Sequence, residues 1–447
     1  MRFHSFSGML THWAGLTPDA PALRQGEQEL TFSRLLQRVS TREAELREQG
    51  LASLGVLCDG SAECVVTLLA APGAGVRTVL LDETADPSHL REMIAAARVG
   101  ALWGDGELRE ELESALTRDD VPGPGEMLFF TSGTTRRAKS AVLTQQSLCA
   151  SAFNGGALLP LRPEDTLLCL LPLNHVFGFV CGLLWGLSCG ACVALGRGPR
   201  HYFDDFAYYR PTAVSLVPAL LAALLKGNCL DPELRLALIG AGDCPAPLLN
   251  ALRAKRIRVS FGYGLTETSS GVALSLGEDP LAMTVCPDDR ITLAEDGEIL
   301  IQAPTCMMQG YFGQPEETAR VLRSGVLHTG DLGRLDENGL LHVTGRKKEI
   351  LVLPDGTKLF LPEYEQALQA ALGGRELAVI LHRNAPALVA RGTEAERAEL
   401  SARLAPLNQT LPRGQQIKTI FLTPSPLPRT ATGKIKRWEV AQAYDEK

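Results

Sequence analysis

Aromatic residues are scarce: Phe, Trp and Tyr make up 6% of the 447 residues, so surfaces for stacking nucleic-acid bases are poorly supplied. There is no basic excess either. Lys and Arg number 44 against 51 Asp and Glu, a formal charge of −7, which argues against a general nucleic-acid binder. No internal repeat or low-complexity tract is visible, and 45% hydrophobic with 21% charged residues excludes long disorder and fibrous architectures. The eleven cysteines form no disulfide framework. The one CxxC, Cys189-Gly190-Ala191-Cys192, has no second ligand pair at zinc spacing, so the cysteines read as buried strand residues in a reducing cytoplasm. Met1 to Leu23 is interrupted by Arg2, His4, His12 and Asp19, and no secretory signal is expected. Val176 to Gly196 carries no charge and is long enough to span a bilayer. Glycines at 178, 182, 186 and 190 favour instead a buried strand, helix and strand, with no stable membrane span.

What is present is alternation. Thr31 to Gly50 has helical apolar spacing and ends at a glycine, Leu54 to Cys58 reads as a buried strand, Ala62 to Ala71 as a helix, Arg77 to Leu81 as a strand and Ser88 to Ala97 as a helix. The pattern returns at Ala213 to Leu225, Leu236 to Ile239, Ala246 to Ala254 and Arg258 to Phe261. Strands alternating with helices predict an α/β fold with parallel sheets. From Asp289 the texture changes to short strands separated by turns, with a hairpin expected at Asp336-Glu337-Asn338-Gly339. After Gly345-Arg346-Lys347-Lys348 the chain becomes compact α+β. The expected division is a large domain, residues 1–345, with a small β-rich subdomain at its end, and a small mobile domain, residues 346–447.

Five segments carry chemistry. Phe129-Phe130-Thr131-Ser132-Gly133-Thr134-Thr135-Arg136-Arg137-Ala138-Lys139 runs from a strand end into hydroxyls, glycine and cations. Such a loop offers N–H groups, hydroxyls and positive charge to phosphate oxygens. It is not the G-x-x-x-x-G-K-[ST] loop of nucleotide kinases. Gly262-Tyr263-Gly264-Leu265-Thr266-Glu267 sets a tyrosine against a planar ring and a carboxylate toward a hard cation such as Mg²⁺. His328-Thr329-Gly330-Asp331 places a carboxylate after a glycine turn, suited to a ribose diol. Gly345-Arg346-Lys347-Lys348 and Pro428-Arg429-Thr430-Ala431-Thr432-Gly433-Lys434 follow. Each alone is weak, and a lone Gly-Lys is usually a solvated turn; the five in this order are not accidental.

In these motifs the chain resembles the adenylate-forming superfamily of acyl- and aryl-CoA ligases, luciferases and adenylation domains. The likeness runs from Thr31 to Arg437. It implies activation of a carboxylic acid by ATP to an acyl-adenylate and pyrophosphate, then capture by a thiol. By motif match it implies that Thr131, Ser132, Gly133, Thr134, Thr135 and Lys139 hold the β- and γ-phosphates. Tyr263 and Gly264, with Ala241, Gly242 and Asp243 at the edge, receive adenine. Thr266 contacts the α-phosphate and Glu267 holds the metal. Asp331, assisted by Arg346, binds the ribose. Lys348 is the hinge, and Lys434 bridges the carboxylate and α-phosphate during adenylation. The segment Gly310-Tyr311 with Pro315-Glu316-Glu317-Thr318 also fits the pattern, without an assigned role. Arg136, Ala138 and Ser140 stand where relatives have glycine, proline and glycine.

Leu171-Pro172-Leu173-Asn174-His175-Val176-Phe177-Gly178 matches the segment that gates the acid, with His175 as its candidate catalytic residue. It offers no carboxylate for a substrate ammonium, so a fatty or aromatic acid is expected over an amino acid, and the wording looks most like fatty-acyl-CoA ligases. Asp204 and Asp205 read as a solvated helix start. The acceptor is expected to be CoA, with an acyl-carrier protein as the alternative. Two readings of other classes are a catalytically silent adenylate-binding module and a membrane-inserted accessory.

Overall fold

The structure, a computed structural model, describes residues 1–104, 106–117, 124–131, 139–242, 244–354, 357–429 and 435–444. It divides into two compact units. The first holds the described residues of Met1–Thr131, 139–329 and Arg334–Val343; the second holds Gly330–Gly333 and 344–444.

In the first unit, six parallel strands lie side by side in the order Pro21–Gln25, Cys192–Leu195, Thr166–Cys169, Ala213–Leu216, Leu236–Ile239 and Arg258–Leu265. The last runs four residues beyond the expected Phe261 and there turns antiparallel to Ser270–Ser275. The short antiparallel strands Met283–Val285, Arg290–Leu293 and Glu298–Gln302 continue the same sheet. A second sheet has the order Gly310–Tyr311, Ser140–Leu143, Met127–Phe130, Arg77–Leu81, Ser53–Leu57 and Ala101–Trp103. One core joins the two sheets: Val56, Leu80 and Phe129 share it with Leu167, Val193 and Leu238, through helices bearing Leu68, Leu148 and Phe179. Burial of side chains this size stabilises by about 1.5–3 kcal/mol each.

The helix Phe32–Gln49 shows why the periodicity was legible. Phe32, Leu35, Val39, Glu43 and Leu46 are buried at three- and four-residue steps, Thr31 accepts from Arg34 N at 3.3 Å, and Gly50 closes the end at φ 62°. The uncharged run after His175 is one helix followed by the strand Cys192–Leu195. Its recurring glycines let it lie flat on its neighbours. A Cβ on Gly178 would meet Pro172 O at 2.1 Å, and one on Gly186 would meet Val193 at 2.6 Å. No helix among the described residues is long and apolar enough to cross a membrane.

Asp205 departs from expectation. It is fully buried, not solvated: Arg197 Nε donates to it at 2.6 Å and Arg197 N at 3.0 Å. The arginine eight residues upstream turns the helix start inward, while Asp204 stays exposed.

In the second unit, Leu377–His382 pairs antiparallel with Ala385–Arg391, which is parallel to Thr419–Thr423. The helices Leu361–Ala371, Arg397–Thr410 and Arg437–Tyr444 complete an α+β arrangement. Leu368, Leu377, Leu388 and Leu400 are fully buried in its core.

Candidate active site

The phosphate-loop segment joins two antiparallel strands, Met127–Phe130 and Ser140–Leu143, paired Phe130 to Ser140. Thr131 N donates to Lys139 O at 2.8 Å and closes the loop's neck. Ser132, Gly133, Thr134 and Thr135 lie outside the described residues, as do Arg136, Arg137 and Ala138. Lys139 leaves the neck toward Glu317, Nζ to Oε2 2.5 Å, with its Nζ 5.3 Å from the centre of the Tyr311 ring.

Tyr263 and Gly264 lie inside the strand Arg258–Leu265, whose register shifts between them. Gly264 is required there: a Cβ would sit 1.8 Å from Ser270 O. This close approach tightens the turn Thr266–Thr268, where Thr268 Oγ1 donates to Ser270 O at 2.9 Å, and Leu265 N donates to it at 3.1 Å. Ser269 follows at φ 52°, and Ser270 at φ 105°. The turn presents Glu267 at one fixed place. Tyr311 donates its hydroxyl to Glu267 Oε1 at 2.5 Å, and Met308 N donates to Glu267 O at 2.8 Å. Sequence reasoning gave Tyr311 and Glu317 no role; the signal was the Gly310-Tyr311 and Pro315-to-Thr318 segment, which the pattern had already singled out.

Ala241 follows the parallel strand Leu236–Ile239 at φ 62°, with Gly242 next; Asp243 lies outside the described residues. Phe177 packs on Gly240, where a Cβ would meet its ring at 3.0 Å, so the His175 segment and the Ala241 segment lie together. Burial lowers the His175 pKa below its ordinary value, opposed by the charge of Asp82, so the ring is neutral at pH 7. His175 makes no side-chain hydrogen bond among the described residues. A narrow apolar pocket is lined by Val180, Cys181 and Trp185 of the helix that follows His175, by Leu238, Gly271 and Leu274, and by Ser151 and Gly155 from another helix. Its free space is about 20 Å³, enough for one water-sized sphere. Ser151 Oγ is buried there without a hydrogen-bond partner among the described residues.

In the second unit, Asp331 follows Gly330, which has φ 72° within the strand Val326–Leu335; the glycine turn is a kink in a continuing strand. Arg346 Nε pairs with Asp331 Oδ1 at 2.9 Å, bringing those two expected partners together. Lys348 is exposed in the short turn Lys347–Glu349. Lys434 lies outside the described residues; Arg429 and Ile435, on either side, form an antiparallel bridge.

A family model described as AMP-binding enzyme matches residues 10–125 and 126–312. The chain belongs to the AMP-binding enzyme family. The 2-succinylbenzoate–CoA ligase of Bacillus cytotoxicus is 30% identical over 395 residues, covering 79% of this chain and 81% of the relative. A ligase of the same name from Bacillus cereus is 27% identical and spans 97% of this chain and 98% of its own. Among solved structures, the o-succinylbenzoate CoA synthetase of Bacillus subtilis with its acyl-adenylate intermediate superposes with TM-score 0.83 at 24% identity, covering 97% of each chain. The anthranilate CoA ligase AuaEII with anthranoyl-AMP gives TM-score 0.78 at 19% identity, covering 100% of this chain and 98% of its own. At those identities the structures speak for the fold of the AMP-binding enzymes.

The names of these relatives are those of aryl-CoA ligases; they give no support to the expected link to fatty-acid metabolism. Nothing in them supports an acyl-carrier protein as acceptor. Membership in an enzyme family also displaces the silent-module reading.

Proposed function

We propose that this enzyme, an AMP-forming acid–thiol ligase working with ATP, Mg²⁺ and CoA, activates an aromatic carboxylic acid and passes it to CoA. The observation that carries the acid class is the pocket lined by the helix that follows His175: its lining is apolar and, among the described residues, offers no cation and no carboxylate. Its chemistry suits an apolar acid over an amino acid's ammonium, and its free space of about 20 Å³ must widen before a ring can enter. Ser151 supplies one hydroxyl, able to meet a hydroxyl or carbonyl substituent of the ring. The names of the relatives support an aryl acid; among the described residues no basic side chain lines this pocket to meet a second carboxylate.

The remaining roles are carried over from the motif match. Tyr263 and Gly264 receive the adenine face, with Ala241, Gly242 and Asp243 at its edge, and Asp331 with Arg346 takes the ribose hydroxyls. Thr131 to Thr135 and Lys139 bind the outer phosphates, and Thr266 the α-phosphate. Glu267 fits Mg²⁺: its Oε1 is occupied by Tyr311, leaving Oε2 as one hard oxygen ligand. When bound, the metal neutralises phosphate charge. His175, neutral and apolar-packed, closes the acid site. Lys434 brings a positive charge to the meeting point of carboxylate and α-phosphate, where charge develops. Lys348 is the hinge about which residues 346–447 then move away from residues 1–345 to admit the thiol.

The test is thioester formation with CoA across a panel of aryl, fatty and amino acids. Benzoate-class acids should give the highest kcat/KM. A fatty acid at the head of the ranking would refute the aromatic assignment.

A further inference from the structure

Lys139 and Glu267, read above as the phosphate and metal residues, do not face each other directly. Between them stands Tyr311. Its ring lies 5.3 Å from Lys139 Nζ, within cation–π range, and its hydroxyl donates to Glu267 Oε1 at 2.5 Å. Tyr311 is fixed from three sides. Its strand pairs with Ser140–Leu143, Tyr311 opposite Ala141, and Gln309 N donates to Val142 O at 2.9 Å. Tyr311 N donates to Thr318 Oγ1 at 2.8 Å, and Thr318 lies one residue after Glu317 on the helix Pro315–Val321.

Lys139 instead pairs with Glu317 at 2.5 Å, with side chains 17% and 28% exposed. Such a sheltered pair is weakly screened. Glu317 also holds Arg320, so it keeps a counter-ion when Lys139 leaves. A carboxylate shared by two cations can release one without being stranded.

We propose that Glu317 is the resident counter-ion of Lys139 and competes with nucleotide phosphate for it, while Tyr311 separates Lys139 from Glu267 and reserves that carboxylate for Mg²⁺. Both are positioning residues: neither touches the reacting atoms. The inference rests on the assignments of Lys139 and Glu267 made above.

The experiment is steady-state kinetics of the full chain with ATP and Mg²⁺ varied separately. Glu317→Gln should lower the KM for ATP by about 3- to 10-fold, because a negative charge beside the phosphates is gone. Lys139→Gln should raise it about tenfold or more. In the Lys139→Gln background, Glu317→Gln should add little. Tyr311→Phe should raise the Mg²⁺ concentration for half-maximal rate by about 3- to 10-fold, with kcat recovering at saturating Mg²⁺. A loss of packing alone would not divide the two ligands in this way. If Lys139→Gln leaves the KM for ATP unchanged, the nucleotide-site reading falls. If it raises KM and Glu317→Gln does not lower it, the counter-ion proposal is overturned. An unchanged Mg²⁺ requirement in Tyr311→Phe overturns the part given to Tyr311.

Discussion

Arg346 Nε lies 2.9 Å from Asp331 Oδ1, and the Asp331 side chain is only 3% exposed while that of Arg346 is 53%. A buried carboxylate is thus held by a half-exposed cation. The proposed ribose site needs that carboxylate ionised and pointing one way. Asp331→Asn should raise the KM for ATP about tenfold or more, since the amide replaces an acceptor-only group for the diol. Arg346→Ala should raise it less, because its exposed half is screened. Isothermal titration of ATP against both variants checks the order; a larger effect from Arg346→Ala would reverse the assignment.

Asp289 is a carboxyl group with both oxygens buried and unpartnered among the described residues. Burial, then the neighbouring Asp288, raises its pKa from 3.8 to about 7. The folded value exceeds the unfolded one, so the fold favours the protonated form. Stability is full below pH 4 as far as this group is concerned, and is lost as pH rises to 7. Asp289→Asn keeps the shape without the charge. Its advantage over the parent should grow between pH 4 and 7 to about 2–4 kcal/mol and stay level above. Urea unfolding at pH 5 and pH 8 measures it. A constant difference would mean that Asp289 is not the titrating group.

Gly271 and Gly155 line the proposed acid pocket, and each leaves space for a Cβ. A Cβ on Gly155 meets nothing within 4 Å, and one on Gly271 meets only Tyr263 O at 4.0 Å. Gly271→Val should therefore fold normally and fill the pocket. The KM for the acid should rise about tenfold or more while the KM for ATP stays put. Equal changes in both would place the pocket elsewhere.

The limits of sequence reading fall along a physical line. The helix Phe32–Gln49 and the strands Arg77–Leu81 and Leu236–Ile239 were legible, because burial imprints a period or a short apolar run. The strand Ala385–Arg391 was not expected: a proline and three alanines give it no strong β signal. Tyr263 and Gly264 continue the strand past the expected end at Phe261, since Gly264, which looks like a break, is there for close backbone approach to Ser270. Asp205 was misjudged because its partner, Arg197, is set by the fold and not by spacing. The pairing of Glu267 with Tyr311 crosses 44 residues, and no local pattern carries such a contact.

Lys434 tests whether two half-reactions share one chain. Lys434→Ala should slow acyl-adenylate formation on the order of 10²–10³-fold. Supplied with synthetic acyl-adenylate, the same variant should make thioester at near the parent rate. Lys348→Pro, restraining the hinge backbone, should do the reverse. Equal slowing of both half-reactions by Lys434→Ala would exclude alternation of residues 346–447 between two roles.

The central claim is reversible activation of an aromatic acid at the adenylate level, before any thiol takes part. Its direct measurement is acid-dependent exchange of labelled pyrophosphate into ATP, with Mg²⁺ present and CoA omitted. Exchange that needs an aryl acid, and falls by about two orders of magnitude or more in Lys434→Ala, is the predicted result. Exchange supported best by a fatty acid, or no exchange with any acid while thioester still forms, would contradict it.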